Sequence, residues 1–131
     1  MNKNQLSSLL LKVIYACRDS VVATDARQPD NPIIFANPAF ERLTGYTSME
    51  IEGENCRFLQ RDDRGQDARR RIRGAVLIGV ESQEVLRNYR KDGSVFYNEL
   101  SISPVYNSQG SVRYFIGVQR EVPPPGSPVQ K

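Results

Sequence analysis

Cys56 and three carboxamides are the residues of this chain with the clearest chemical potential. Cys56 lies in the stretch Gly53-Glu54-Asn55-Cys56-Arg57-Phe58-Leu59-Gln60. The chain has two cysteines and no histidine. That excludes an imidazole base, Ser-His-Asp and Cys-His arrangements, and a His-ligated haem. Neither cysteine belongs to a CxxC pair, and no metal site is read from the sequence. An isolated cysteine is by default a small hydrophobe rather than a reactive group, so Cys56 by itself leaves both readings open. Cys17, at the end of the first predicted helix, reads as structural.

The carboxamides are Asn88, Asn98 and Gln119. Side chains alternate faces along a strand. Leu86 then shares a face with Asn88; Phe96, Leu100 and Ile102 share one with Asn98; Phe115 and Gly117 share one with Gln119. Each strand offers an apolar face carrying one amide. A single Asn or Gln belongs by preference on the surface. Buried amides need partners and offer both donors and an acceptor. Three of them on apolar faces suit a flat heterocycle whose edge mixes donors and acceptors, and a flavin's pyrimidine edge is one. Gly117 lacks a side chain and permits close approach to the sheet.

Residues 61–73 hold six arginines and three aspartates. The plain reading is a solvated helix face. The sharper one is a phosphate clamp, for which the planar guanidinium is suited. Arg69 and Arg73 are four residues apart and share a helix face. They flank the apolar stripe of Ala68, Ile72, Ala75 and Val76, while Arg64 lies in the loop before the helix. Arg70 and Arg71 read as surface.

These groups must be positioned by one small domain. The 131 residues, 39% of them hydrophobic, support a single core with terminal extensions. The formal net charge is +3, and a mean hydropathy of −0.51 indicates a soluble chain. Residues 4–16 read as an amphipathic helix with an apolar stripe of Leu6, Leu9, Leu10, Val13 and Ile14. The stripe suits either a dimer surface or packing on the chain's own sheet. Residues 21–24 and 33–36 read as strands around a Pro-Asp-Asn-Pro turn. Asn37-Pro38 starts a helix that Gly45 ends. Ser48 to Ile51 is a short helical turn, residues 54–64 carry no clear period, and Gln66 to Ile78 is a longer helix. Strands follow over 83–89, 95–106 and 112–122, joined by tight turns that make them antiparallel neighbours. The order predicts an α+β domain: a five-stranded antiparallel sheet with helices on one face. The expected organisation is an N-terminal helical extension over 1–19, a core over 20–122 and a flexible tail over 123–131.

The motif GENCRFLQ closely resembles the GxNCRFLQ signature of light-oxygen-voltage (LOV) domains, a photosensory branch of the PAS family. Further resemblance runs through Phe35-Ala36-Asn37-Pro38-Ala39-Phe40, Leu43-Thr44-Gly45-Tyr46, Asn88 to Gly93, Asn98 to Val105, and Phe115 to Gln119. It covers roughly 20–122 and is nearest to short bacterial forms. The resemblance implies a PAS-like fold and flavin mononucleotide (FMN) as cofactor. It implies that the Cys56 sulfur bonds reversibly to flavin C4a under blue light and that Gln119 relays the change from N5 and O4. It implies flavin contacts for Asn55, Arg57, Gln60, Arg64, Arg69, Arg73, Asn88, Asn98, Leu100, Phe115, Gly117 and Gln119, with the arginines on the phosphate. A sensor rather than an enzyme is expected, located in a reducing cytoplasm. Homodimerisation through the N-terminal helix and a downstream protein partner are expected; neither nucleic acid nor membrane is. A PAS binding module without photochemistry is the alternative.

Overall fold

The computed structural model describes residues 1–128; the last part of the expected tail, 129–131, lies outside them. Helix α1, Lys3–Ala16, begins one residue before the predicted start because Asn2 and Gln5 form a reciprocal capping box. Strands β1 (Ser20–Asp25) and β2 (Ile33–Ala36) are followed by helices α2 (Pro38–Thr44) and α3 (Ser48–Ile51). Cys56–Gln60 forms a 3-10 helix, whose three-residue turn explains why the segment shows no α-helical period. Helix α4 spans Asp67–Ile78, and β3 (Ser82–Tyr89), β4 (Val95–Tyr106) and β5 (Val112–Val122) complete the sheet. Gly79 ends α4 at φ 71°, and a Cβ there would lie 2.9 Å from Val112 Cγ2. Glycine is therefore required on both conformational and steric grounds.

All strand pairings are antiparallel, in the order β2-β1-β5-β4-β3. The first strand thus lies beside the last, a pairing that no local turn dictates. The helical middle packs on one face of this sheet. Two apolar clusters anchor it. Val22, Ile33, Ala36, Phe40, Ile51 and Leu59 form the first, with Tyr46, Cys56 and Phe58 against it. Ala68, Leu86 and Leu100 form the second, with Ile72 and Ile102 against it.

Helix α1 stands apart from both clusters. Leu6, Leu9, Leu10 and Val13 are all exposed, and only Ile14 of the stripe is partly buried. Packing of the stripe on the chain's own sheet is therefore not realised. The helix is tied to the core at its last turn. Tyr15 meets Phe35 edge to face at 5.9 Å between ring centroids, and Asn37 supplies the polar link. Asn37 is fully buried. Its Oδ1 accepts from Val21 N at 2.9 Å and Phe40 N at 3.2 Å, and its Nδ2 donates to Ile14 O and Asp19 O at 3.0 Å. One side chain caps α2 and joins the end of α1 to the start of β1.

A second polar link holds the segment after the 3-10 helix. Asp63 accepts from Arg87 Nε at 2.7 Å, Arg87 Nη2 at 2.9 Å and the Tyr89 hydroxyl at 2.8 Å. Gln66 Nε2 donates to Arg87 O and Asp63 O, and its Oε1 accepts from Arg87 N. The Arg87 guanidinium, followed by the Tyr89 hydroxyl, holds the Asp63 carboxyl down at about 2.

Two outcomes follow. Asn37→Ala should lower stability in urea unfolding by about 2 kcal/mol, since it strips a helix cap and three further buried bonds; a loss under about 0.5 kcal/mol would contradict this role. Asp63 has a folded pKa below its unfolded value of about 4. Its contribution is complete above that value and disappears as pH falls toward about 2. Asp63→Asn should therefore be less stable at neutral pH and show a shallower loss of stability between about pH 4 and 2; parallel acid-unfolding curves would contradict it.

Candidate functional site

A cavity of about 450 Å³ lies between the two apolar clusters, within the size range of small-molecule sites. Its sheet wall is built by Val22, Thr24, Leu86, Leu100, Ile102, Phe115 and Gly117. Ile72 and Val76 of α4 face them, and the cysteine segment contributes Asn55, Cys56, Arg57 and Gln60. Asn55 fixes that segment twice. Its Oδ1 accepts from Arg57 N at 3.0 Å as the 3-10 cap, and its Nδ2 donates to Asp30 O at 2.8 Å.

Cys56 is partly buried and lines the cavity. Burial pushes its thiol up to about 12, so the sulfur keeps its proton at neutral pH. With no histidine in the chain, nothing nearby serves as an imidazole base. This sulfur is unsuited to ordinary thiolate chemistry and suited to a reaction whose driving force comes from its partner.

Strand register orders the inner face. Thr24 lies opposite Phe115, Val22 opposite Gly117 and Ser20 opposite Gln119. On the other side of β5, Gly117 pairs with Ile102, Gln119 with Leu100 and Glu121 with Asn98. Asn98 in turn pairs with Leu86, and Asn88 with Phe96. Along this face the cavity wall comes first and the amides follow, from Gln119 to Asn98 to Asn88. The structure brings all three together and buries each to 2% exposure or less. They sit beyond the lining residues rather than among them. Asn98 Nδ2 donates to Asn88 Oδ1 at 2.9 Å, and Asn88 Nδ2 donates to Arg87 O at 2.9 Å. Gln119 Oε1 accepts from Ser20 Oγ at 3.2 Å.

The sheet leaves no open slot at Gly117. A Cβ there would lie 3.0 Å from Val22 Cγ2 and 3.6 Å from Leu100 Cδ1, so the glycine also makes room for a neighbouring strand's side chain. Among the described residues, Thr24 Oγ1, Asn31 Oδ1, Gln60 Oε1, Ser82 Oγ and Asn98 Oδ1 are buried oxygens without a hydrogen-bond partner. The first three belong to cavity-lining residues. Orphaned polar atoms in a buried site mark where a ligand's own polar groups fit. A flat ligand with an apolar ring body and hydrogen-bond donors along a polar edge matches this set of oxygens, of which the amide oxygens only accept.

The mouth is cationic. Arg57, Arg69 and Arg73 all line the cavity, together with Asp30. Arg57 makes a bidentate pair with Asp30, one bond being Nη1 to Oδ1 at 2.7 Å. Arg69 and Arg73 have no carboxylate partner among the described residues. Burial and then the neighbouring Arg73, Arg64 and Arg57 charges push Arg69 below its ordinary value. Arg64 stands off the cavity wall, with its Nε donating to Arg61 O at 2.8 Å. Arg70 and Arg71 pair with Asp67 and Glu84 on the outside.

Several residues at this site were not assigned from sequence: Thr24, Gln28, Asp30 and Asn31 on the cavity wall, and Ser20 beside Gln119. Thr24 and Asn31 reach the wall only because β1 pairs with β5 and the β1–β2 connection folds over the cysteine segment. Arg61 also went unassigned. It takes φ 48° and ψ −125°, and Asp63 N donates to Gln60 O at 2.9 Å. That is a type II′ turn with arginine where glycine is usual. Arg61 Nη2 offsets the strain by donating to Arg90 O at 2.8 Å and Lys91 O at 3.2 Å.

Comparison with known proteins agrees with this geometry. A family model described as a PAS domain matches residues 19–122. A "Blue-light photoreceptor" of Listeria monocytogenes is 43% identical over 114 residues, which is 87% of this chain and 45% of that protein. The chain thus spans less than half the length of that curated relative. A solved "RNA-binding Light-Oxygen-Voltage Receptor" superposes with a TM-score of 0.89 at 39% identity, over 92% of this chain and 34% of the other. The Rhodobacter sphaeroides LOV protein superposes with a TM-score of 0.83 at 40% identity, over 96% and 71%.

Proposed function

Because the chain belongs to the LOV branch of the PAS domain family, we propose that it is a flavin-binding blue-light sensor with Cys56 as its photoreactive group. The observation that carries this reading is Cys56 on the wall of a mostly apolar cavity that also holds buried oxygens without partners. A bound flavin would supply blue-light absorption and an electrophilic ring carbon, C4a, to which the Cys56 sulfur would add reversibly as its S–H bond breaks and the proton passes to ring N5. FMN suits the site, since Arg57, Arg69 and Arg73 line the same cavity and would hold a phosphate there.

The protein's part is to place, hold and report. Asn55 caps the 3-10 helix and so aims Cys56. Gln60 presents an unpartnered oxygen, and Leu100, Phe115 and Gly117 supply the apolar wall. Asn88 and Asn98, just beyond the lining residues, would hold the polar ring edge, with the unpartnered Oδ1 of Asn98 as acceptor. Gln119 is the relay. Its amide exchanges oxygen for nitrogen by rotating. Ser20 Oγ, which donates to Gln119 Oε1, must then accept instead. Ser20 opens β1, whose neighbour Asp19 is bonded by Asn37, as is Ile14 at the end of α1. A rotation at the ring edge therefore has a short bonded path to the N-terminal helix.

The output on this reading is association rather than catalysis. The exposed Leu6, Leu9, Leu10 and Val13 of α1 form the surface through which the chain homodimerises and meets its downstream partner. No helix among the described residues is long and apolar enough to cross a membrane.

An absorption spectrum tests the proposal. The purified chain should show a flavin band at about 450 nm that bleaches in blue light and returns in darkness. Cys56→Ala should keep the band and lose the bleaching. Gln119→Leu should keep the bleaching and reduce the light-dependent change in amide hydrogen exchange of α1. A colourless chain that flavin cannot reconstitute would replace the reading with a PAS binding module of another ligand.

A further inference from the structure

The mouth of the cavity contains a charge arrangement that the flavin reading does not use. Of the three arginines there, Arg57 is held by a carboxylate, while Arg69 and Arg73 are not. The carboxylate belongs to Asp30, itself a lining residue. Asp30 follows Pro29 in a turn that Asn31 N closes on Gln28 O at 3.2 Å, and its φ is 67°. Pro followed by a left-handed residue is the pattern of a type II turn, whose third position favours glycine or asparagine. Aspartate is not the residue that the backbone prefers there. Its distinguishing property is the charge it places on Arg57. Arg57 in turn is raised above its ordinary value by the hydrogen bonds to Asp30.

We propose that Asp30 is a specificity-determining residue, a carboxylate that competes with a ligand's anionic group for Arg57 and so limits how far the cavity favours phosphorylated over unphosphorylated flavin. This inference rests on the flavin reading above. Three arginines and one aspartate line the mouth, so Asp30 cancels one of the three positive charges. A phosphate approaching Arg57 must share or displace a bidentate partner and does so against a like charge. A flavin without phosphate meets neither obstacle, because it brings no anion to compete with Asp30 for Arg57.

The charge is separable from the mechanical role of the turn. The strap between the β1–β2 connection and the cysteine segment is made by the Asp30 carbonyl, which accepts from Asn55 Nδ2 at 2.8 Å. Asparagine retains that carbonyl, tolerates the left-handed φ, and still offers one side-chain oxygen to Arg57. Asp30→Asn therefore removes the charge and leaves the strap.

The test titrates the flavin-stripped full chain and its Asp30→Asn variant with FMN and with riboflavin, following flavin fluorescence. The variant should bind FMN about threefold more tightly, the scale of a single part-exposed charge. Its riboflavin affinity should be unchanged, and the gain for FMN should shrink as salt is raised. An equal change for both ligands would overturn the proposal, as would weaker FMN binding, which would make Asp30 an aligner of Arg57 instead of its competitor. Loss of both ligands in the variant would also overturn it and assign Asp30 to the fold. If the unaltered chain binds neither flavin, the flavin reading falls and takes this inference with it, whereas normal binding with an unchanged FMN-to-riboflavin ratio removes this inference alone.

Discussion

The site depends on keeping a non-repetitive segment over a sheet that cannot hydrogen-bond it in register. The 3-10 helix Cys56–Gln60 is five residues long, too short to define its own position. Side chains fix it instead. Asn55 reaches across to the Asp30 carbonyl before it, and Arg61 reaches the carbonyls of Arg90 and Lys91 after it. Asp63 and Gln66 then fasten the following residues to Arg87 and Tyr89 on β3. Leu59, 2% exposed, adds the apolar part of the attachment. These bonds come from the β1–β2 connection, the β3–β4 turn and strand β3. The cysteine therefore keeps its place against the cavity while the segment itself remains free of a ladder that would close the space.

The cavity is strongly polarised as a result. Its inner part is apolar and continues into amides that are partly satisfied by one another. Its mouth holds guanidinium groups in contact with solvent. Charged side chains there keep their hydration, and the thiol loses its own. Burial raises the cost of ionising Cys56 and also raises the value of every hydrogen bond that the buried amides make. One dielectric gradient thus serves two ends: an inert resting sulfur and a discriminating polar edge.

Most of this architecture was legible in the sequence, and the exceptions have a common cause. Alternation over 83–89, 95–106 and 112–122, with Gly-containing turns between, located the three long strands. Asn37-Pro38 and Gly45 bounded α2 at the positions where cap geometry is seen. The faces carrying Asn88, Asn98 and Gln119 were also readable, since period-two patterning fixes them. What was not readable depends on contacts between distant parts of the chain. Ser20 meets Gln119 only through the β1–β5 pairing, 99 residues apart. Asn37 was recognisable as a cap, but its bonds to Ile14 and Asp19 need the path of the preceding helix. The α1 stripe suited two environments equally, because helical periodicity records that a face is apolar and not what it touches.

The placement of β1 beside β5 also gives the domain a mechanical direction. The N-terminal end of β1, at Ser20, lies opposite Gln119, three residues before the end of β5 at Val122. Both strands therefore meet the terminal segments at the same end of the sheet. Tension applied between the two ends loads this pair as a zipper. Its rungs open one at a time, starting with the one that joins Ser20 to Gln119, instead of shearing together. The domain is in this one direction compliant, and the first rung to yield adjoins Leu100 of the cavity wall.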